Sequence, residues 1–118
     1  MPAARPTYRR GDVIYVLFRY AELTGGKVRP AVVVSSAAFY ATEGCYIVAA
    51  IYQQRRSQWP IELSVTDLTA AGLSVPSVVR PVLLTLSPEV MGPRVGALVL
   101  ADLESVAHCR LRQALELT

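Results

Sequence analysis

Lys27 and Arg29 stand two residues apart, after the glycine pair Gly25-Gly26 and directly before Pro30. Two glycines permit a tight positive-φ turn. Pro30 lacks an N–H, so it is expected to open a strand rather than sit inside one. The apolar run from Ala31 reads as a strand buried on both faces. Arg29 is thus expected at the strand's mouth, fixed at its root and free at its tip. A planar guanidinium so placed suits a phosphate, which it can grip with two parallel hydrogen bonds. The competing reading is a strand-edge arginine paired with a carboxylate such as Asp12. Arg80 follows Val78-Val79 and precedes Pro81, so its tip should also leave the core, as a phosphate ligand or as one half of an ion pair. Arg55 and Arg56 lie in the polar stretch Gln53–Gln58, expected as an exposed loop that is either simply solvated or touches phosphates without reading bases. Tyr52, Tyr20 or Trp59 could stack single-stranded bases, although Trp59 is better placed in a core or subunit contact. Ser77 has no histidine or acid near it in sequence and reads as turn support, and His108 as a surface or interface residue.

These side chains need a frame, and composition bounds it. The 118 residues are one domain's worth, 53% hydrophobic and 18% charged, which is enough to bury a core. So apolar a composition in so small a chain is best absorbed by a homodimer interface. No run reaches the ~18 apolar residues of a membrane span, and Met-Pro-Ala-Ala-Arg-Pro carries no apolar signal core. Cys45 and Cys109 lack metal-ligand spacing, so no metal or cofactor is expected, and a reduced, cytoplasmic protein is. Of twelve basic residues only Lys27 is a lysine, the rest being arginine, against nine acidic ones. That bias suits phosphate binding, but an Arg-rich genome would also produce it.

Read in order, Val13–Phe18 is a strand after a turn at Arg9–Asp12, and Arg19–Gly26 is a loop. Strands follow at Ala31–Ser35 and Cys45–Tyr52, with Ala37–Gly44 as a connection between them. Trp59–Leu63 alternates like an edge strand. Thr66–Ala71 allows one helical turn with Asp67 or Thr66 as N-cap and Gly72 at its end. Ser77–Arg80 and Leu83–Leu86 read as two short strands separated by Pro81, Ser87–Glu89 as a turn or short 3₁₀ segment, and Arg94–Leu98 as a last strand. From Leu100 the spacing becomes helical, with Leu100, Leu103, Val106, Ala107, Leu111, Ala114 and Leu115 on one stripe. The expected architecture is α+β and mainly β: a small barrel with a C-terminal helix.

In that order the pieces resemble the MazF/PemK family of toxins. The resemblance is carried by Gly11-Asp12-Val13-Ile14, Lys27-Val28-Arg29-Pro30-Ala31-Val32-Val33 and Val48-Ala49-Ala50-Ile51. It continues through Ala71-Gly72-Leu73, Pro76-Ser77-Val78-Val79-Arg80, Thr85-Leu86, Gly96-Ala97-Leu98, Asp102-Leu103 and Val106, so it covers nearly the whole chain as a single domain, 1–118. It implies an SH3-like β-barrel and a homodimer that binds single-stranded RNA (mRNA) along the dimer groove. It also implies a cognate antitoxin and metal-independent endoribonuclease activity. In the family scheme the substrate's 2′-OH attacks the adjacent phosphate. The arginine matching Arg29 and a hydroxyl residue at the end of the third strand carry cleavage, and Arg80 matches a second arginine. Catalytic roles are therefore expected at Arg29, Tyr52 and Arg80, and RNA contacts at Lys27, Gln53, Arg55, Arg56, Ser77 and Thr85.

Three positions depart from that pattern. Tyr52-Gln53 stand where Thr-Ser is usual, Val82 where an acid is frequent, and Val99 where Ser or Thr caps the helix. Val82 can be neither acid nor base. A non-catalytic member that binds antitoxin or nucleic acid without cutting is the alternative these departures raise. A gyrase-poisoning toxin of the CcdB type ranks below both, because such proteins do not usually carry the Lys-x-Arg-Pro turn.

Overall fold

The computed structural model describes residues 8–18, 26–54, 62–106 and 110–116. Six strands, β1 (Asp12–Phe18), β2 (Lys27–Val33), β3 (Tyr46–Gln53), β4 (Leu63–Ser64), β5 (Ser77–Leu86) and β6 (Arg94–Ala97), form one sheet in the order β4-β5-β3-β2-β1-β6. Every pairing is antiparallel. Around it lie α1 (Ala37–Glu43), α2 (Leu68–Ala71), a 3₁₀ turn at Pro88–Val90, α3 (Leu100–Ser105) and α4 (Leu111–Leu115).

The apolar runs Val13–Ile14, Ala31–Val33 and Val48–Ile51 are continuous because both faces of the sheet are covered there. Val13, Val32, Ala49, Ile51 and Val79 pack on one face with Ala71, Leu98 and Val106. Ile14, Val16, Ala31, Val33, Val48 and Ala50 pack on the other with Phe18, Tyr46 and Met91. Such a run is usual in parallel sheets covered by helices; here short helices and loops on an antiparallel sheet produce the same pattern.

The sheet curls so that α2, which follows edge strand β4, packs on the opposite edge strand β6. Two glycines permit this contact. A Cβ at Gly72 (φ +74°) would overlap the Val95 carbonyl, and one at Gly96 would overlap the backbone carbonyl of Ala71. Gly96→Ala is therefore expected to push α2 off β6 at a cost of about 1–3 kcal/mol, read as a lower Tm in thermal unfolding. Asp67 caps α2 by accepting from Ala70 N at 2.9 Å, and buried Asp102 of α3 accepts from Thr66 N and from its hydroxyl, at 2.9 Å each.

Several expectations need correction. β2 begins at Lys27, four residues early, so Pro30 lies within the strand, opposite Tyr15 of β1. It is tolerated because β2 and β3 pair only at Ala31↔Ala50, Val32↔Ala49 and Val33↔Val48. At Pro30 the strand is thus an edge on its β3 side. Ala37–Gly44 is not a plain connection but a capped helix: Ser36 Oγ accepts from Phe39 N at 3.1 Å, and Gly44 ends it at φ +71°. Pro81 does not divide two strands. It sits in a bulge of the single strand β5, where Arg80-Pro81-Val82 face the one residue Ala50, since Ala49 pairs with Leu83 and Ile51 with Val79. The terminal stripe is only partly inward: Val106 is buried and Leu103 and Leu111 pack on the core, but Leu100 and Leu115 are 68% and 55% exposed. Val99 precedes α3 without a side-chain cap, as its type requires.

Candidate functional site

The split between β2 and β3 creates the site. The β2–β3 ladder ends at Ala31↔Ala50, so the N-terminal half of β2, Pro30 included, and the C-terminal end of β3 part. An open cleft of about 210 Å³ lies between Val28, Arg29 and Pro30 on one wall and Ile51, Tyr52 and Gln53 on the other. Leu73, Ser74, Val75 and Ser77 complete its lining, with Tyr15 beside them.

Strand alternation decides which side chains meet there. Arg29 shares a face with Ala31, which pairs with Ala50, and Tyr52 is two residues beyond Ala50 on that face. Val78 pairs with Tyr52, and Arg80 is two residues beyond Val78. Arg29, Tyr52 and Arg80 therefore share one face, on three adjacent strands with the tyrosine in the middle. The Arg29 guanidinium carbon lies 4.4 Å from the Tyr52 ring centroid and that of Arg80 4.6 Å. Each such contact contributes about 0.5–2 kcal/mol, more as water is excluded. In this structure the Tyr52 ring carries both guanidiniums.

The two arginines are held differently. Arg80 Nε donates to Glu62 Oε2 at 3.0 Å, so the ion-pair expectation for Arg80 is met. Arg29 does not pair with Asp12. That carboxylate accepts from Arg94 Nε at 2.8 Å and from Arg9 N at 2.7 Å. It lies far along β1 from Val16, the residue opposite Arg29. Arg29 Nε is buried and has no acceptor among the described residues. A buried donor left unmatched costs about 1–3 kcal/mol.

The remaining expected contacts divide. Lys27 is exposed on the same face as Arg29, and Gln53 lines the cleft opposite Ser77. Ser77 is buried and its hydroxyl donates to Val75 O at 2.8 Å, the turn-supporting role. Thr85 is exposed opposite Ile47, five residues beyond Arg80 and so about 17 Å along β5, away from the cleft. Val82 is 37% exposed in the β5 bulge. Arg55 and Arg56 lie outside the described residues, as do Tyr20, Trp59, His108 and Cys109.

Glu62 was not singled out in the sequence. Only the β4 register reveals it: Leu63 pairs with Val79, and one step further sets Glu62 opposite Arg80. A larger hollow of about 520 Å³ lies at the other end of β2, lined by Tyr8, Arg9, Arg10, Ser35, Ser36, Ala37 and Tyr46. Its hydroxyls are occupied within the fold: Ser36 by the α1 cap, Ser35 Oγ by Ile47 N at 2.9 Å, and Tyr46 by Tyr8 N at 3.3 Å. The chemistry therefore points to the smaller cleft.

A curled antiparallel sheet with a cationic cleft where two central strands part defines a small barrel-like β protein. A family model described as PemK-like, MazF-like toxin of type II toxin-antitoxin system matches residues 9–115, and the chain belongs to that family. A search of curated protein sequences returned no significant match. Solved structures share the fold. An endoribonuclease in complex with its cognate antitoxin from a mycobacterial species is 19% identical at a TM-score of 0.73, covering 95% of this chain and 98% of that one. Toxin MazF-mt6 of Mycobacterium tuberculosis is 20% identical at a TM-score of 0.70, covering 91% and 98%. MazF of the Deinococcus radiodurans MazE–MazF structure is 19% identical at a TM-score of 0.72, covering 98% and 100%.

Proposed function

We propose that this chain is the toxin of a type II toxin–antitoxin module and a metal-independent endoribonuclease acting on single-stranded RNA. One observation carries the reading: Arg29 and Arg80 converge on Tyr52, and Arg29 offers a buried Nε without an acceptor among the described residues. The 2′-oxygen attacks the adjacent phosphorus, the bond from phosphorus to the 5′-oxygen breaks, the 2′ proton passes to solvent and the 5′-oxygen takes one from it. The products are a 2′,3′-cyclic phosphate and a 5′-hydroxyl. Arg29 stabilises the charge that builds on the phosphoryl oxygens. Lys27 and Gln53 contact the strand beside the cleft, and Arg55 and Arg56 extend the phosphate track.

The family relation supports two protein partners, an antitoxin and a second copy of this chain. Beyond Val13 and Val32 on the same face of β1 and β2, Leu17 pairs with Val28, and Tyr15, Leu17 and Val28 are 40%, 42% and 66% exposed. That apolar strip is where we place the second copy. No helix among the described residues is long and apolar enough to cross a membrane. The protein acts, on this reading, in the cytoplasm with its mRNA substrate.

The purified protein, given a mixed-sequence RNA pool in EDTA, is expected to leave fragments with 2′,3′-cyclic phosphate ends. Intact RNA beside folded protein would overturn the reading and leave the non-cleaving alternative, which Val82 favours because it brings no acid to the β5 bulge. On that alternative Tyr52→Thr combined with Val82→Asp creates cleavage where the native chain has none.

A further inference from the structure

One charged group at the site has no assigned role. The Glu62 side chain is only 6% exposed and meets Arg80 Nε at 3.0 Å. A carboxylate this far out of water persists only when paired and hydrogen-bonded. Its effect on Arg80 is specific, because a charged hydrogen bond at Nε fixes rotation of the guanidinium about its own stem. Together with the Tyr52 ring at 4.6 Å, it sets both the plane and the direction of that group. Arg29 has the ring at 4.4 Å, but no acceptor on Nε among the described residues. The pair is therefore unequal: one guanidinium is charge-compensated and held from two sides, and the other carries charge that no described carboxylate offsets.

We propose that Glu62 is a positioning residue that orients Arg80 and cancels its charge, so that the phosphodiester's charge is taken up at Arg29. This rests on the ribonuclease reading above. Two uncompensated guanidiniums would hold substrate and transition state alike, tightening binding without speeding the reaction. With Glu62 in place, Arg80 keeps its direction while ground-state attraction stays low.

Steady-state cleavage of a short single-stranded RNA across a salt series tests this. Glu62→Gln keeps the shape and an acceptor for Nε–H but removes the charge. KM is expected to fall and the salt dependence to steepen by about 0.7 in logarithmic slope, as for one added cationic contact to a single strand, with kcat nearly unchanged. Glu62→Ala also removes the Nε acceptor that sets the direction of Arg80, and kcat is expected to drop about 100-fold with KM still low. A purely structural Glu62 would lower the yield of folded protein without this change in KM and salt slope. Folded Glu62→Gln with native KM and salt slope would overturn the proposal, and it decides alone if Glu62→Ala does not fold. If the native protein does not cut RNA, the ribonuclease reading fails separately. Binding of an all-2′-deoxy oligonucleotide then reads the same charge: a steeper salt slope for Glu62→Gln supports the role of Glu62, and an unchanged one refutes it.

Discussion

Arg29→Ala abolishes RNA cleavage while leaving the protein folded. Removing one preorganised donor from a site that stabilises developing negative charge costs about 10²–10³ in kcat, and this change also removes a full positive charge. Its effect on stability should run the other way. The buried Nε lacks an acceptor among the described residues, so its removal relieves a desolvation cost of about 1–3 kcal/mol. That roughly offsets the lost contact with the Tyr52 ring, and Tm is not expected to fall. Activity lost with Tm kept is the signature of a residue retained for function. Arg29→Lys separates charge from shape, since lysine supplies a cation without the planar fork that lies over Tyr52. It should recover little activity. The check is cleavage of labelled RNA in EDTA with thermal unfolding of each variant alongside. Native-like cleavage by Arg29→Ala would remove this cleft from the mechanism.

Tyr52→Phe retains most activity, and Tyr52→Ala loses about 100-fold or more. The ring lies between an arginine from β2 and one from β5, so it holds two like charges at set positions against their mutual repulsion. Phenylalanine keeps that platform. Alanine removes it, and shifts of about 1 Å in the charged groups suffice for losses of this size. Tyr52 also packs against the core cluster on its face, so alanine will lower Tm as well. Tyr52→Leu keeps apolar bulk without a π-face, and is expected to fold like the native chain yet stay impaired. Equal loss in Tyr52→Phe and Tyr52→Ala would instead assign the chemistry to the hydroxyl, the role that the family resemblance implies for this position.

Much of the frame could be read from local chemistry. The Asp67 cap and the glycine after α2 announced that helix, and the run Val48–Ile51 announced β3. Ser36 with Gly44 carries the same cap signals for α1, but Ala37–Gly44 has no strong apolar stripe to mark a helix between them. Pro30 and Pro81 misled for one shared reason. A proline breaks a ladder only where its missing N–H would have been used, and both lie where a neighbouring strand has already let go.

The sequence by itself determined the residue types, the strand alternation and the family. Those were enough to single out Arg29, Tyr52 and Arg80 and to show that the acid was absent at Val82. Tertiary structure alone decided how they meet. The shared face of the three side chains depends on the β2–β3 and β3–β5 registers, and the approach of Glu62 to Arg80 depends on β4 adding to β5. Both link residues far apart in the chain. Composition and periodicity describe each strand separately; which residues of different strands stand opposite one another is settled only when the whole sheet packs.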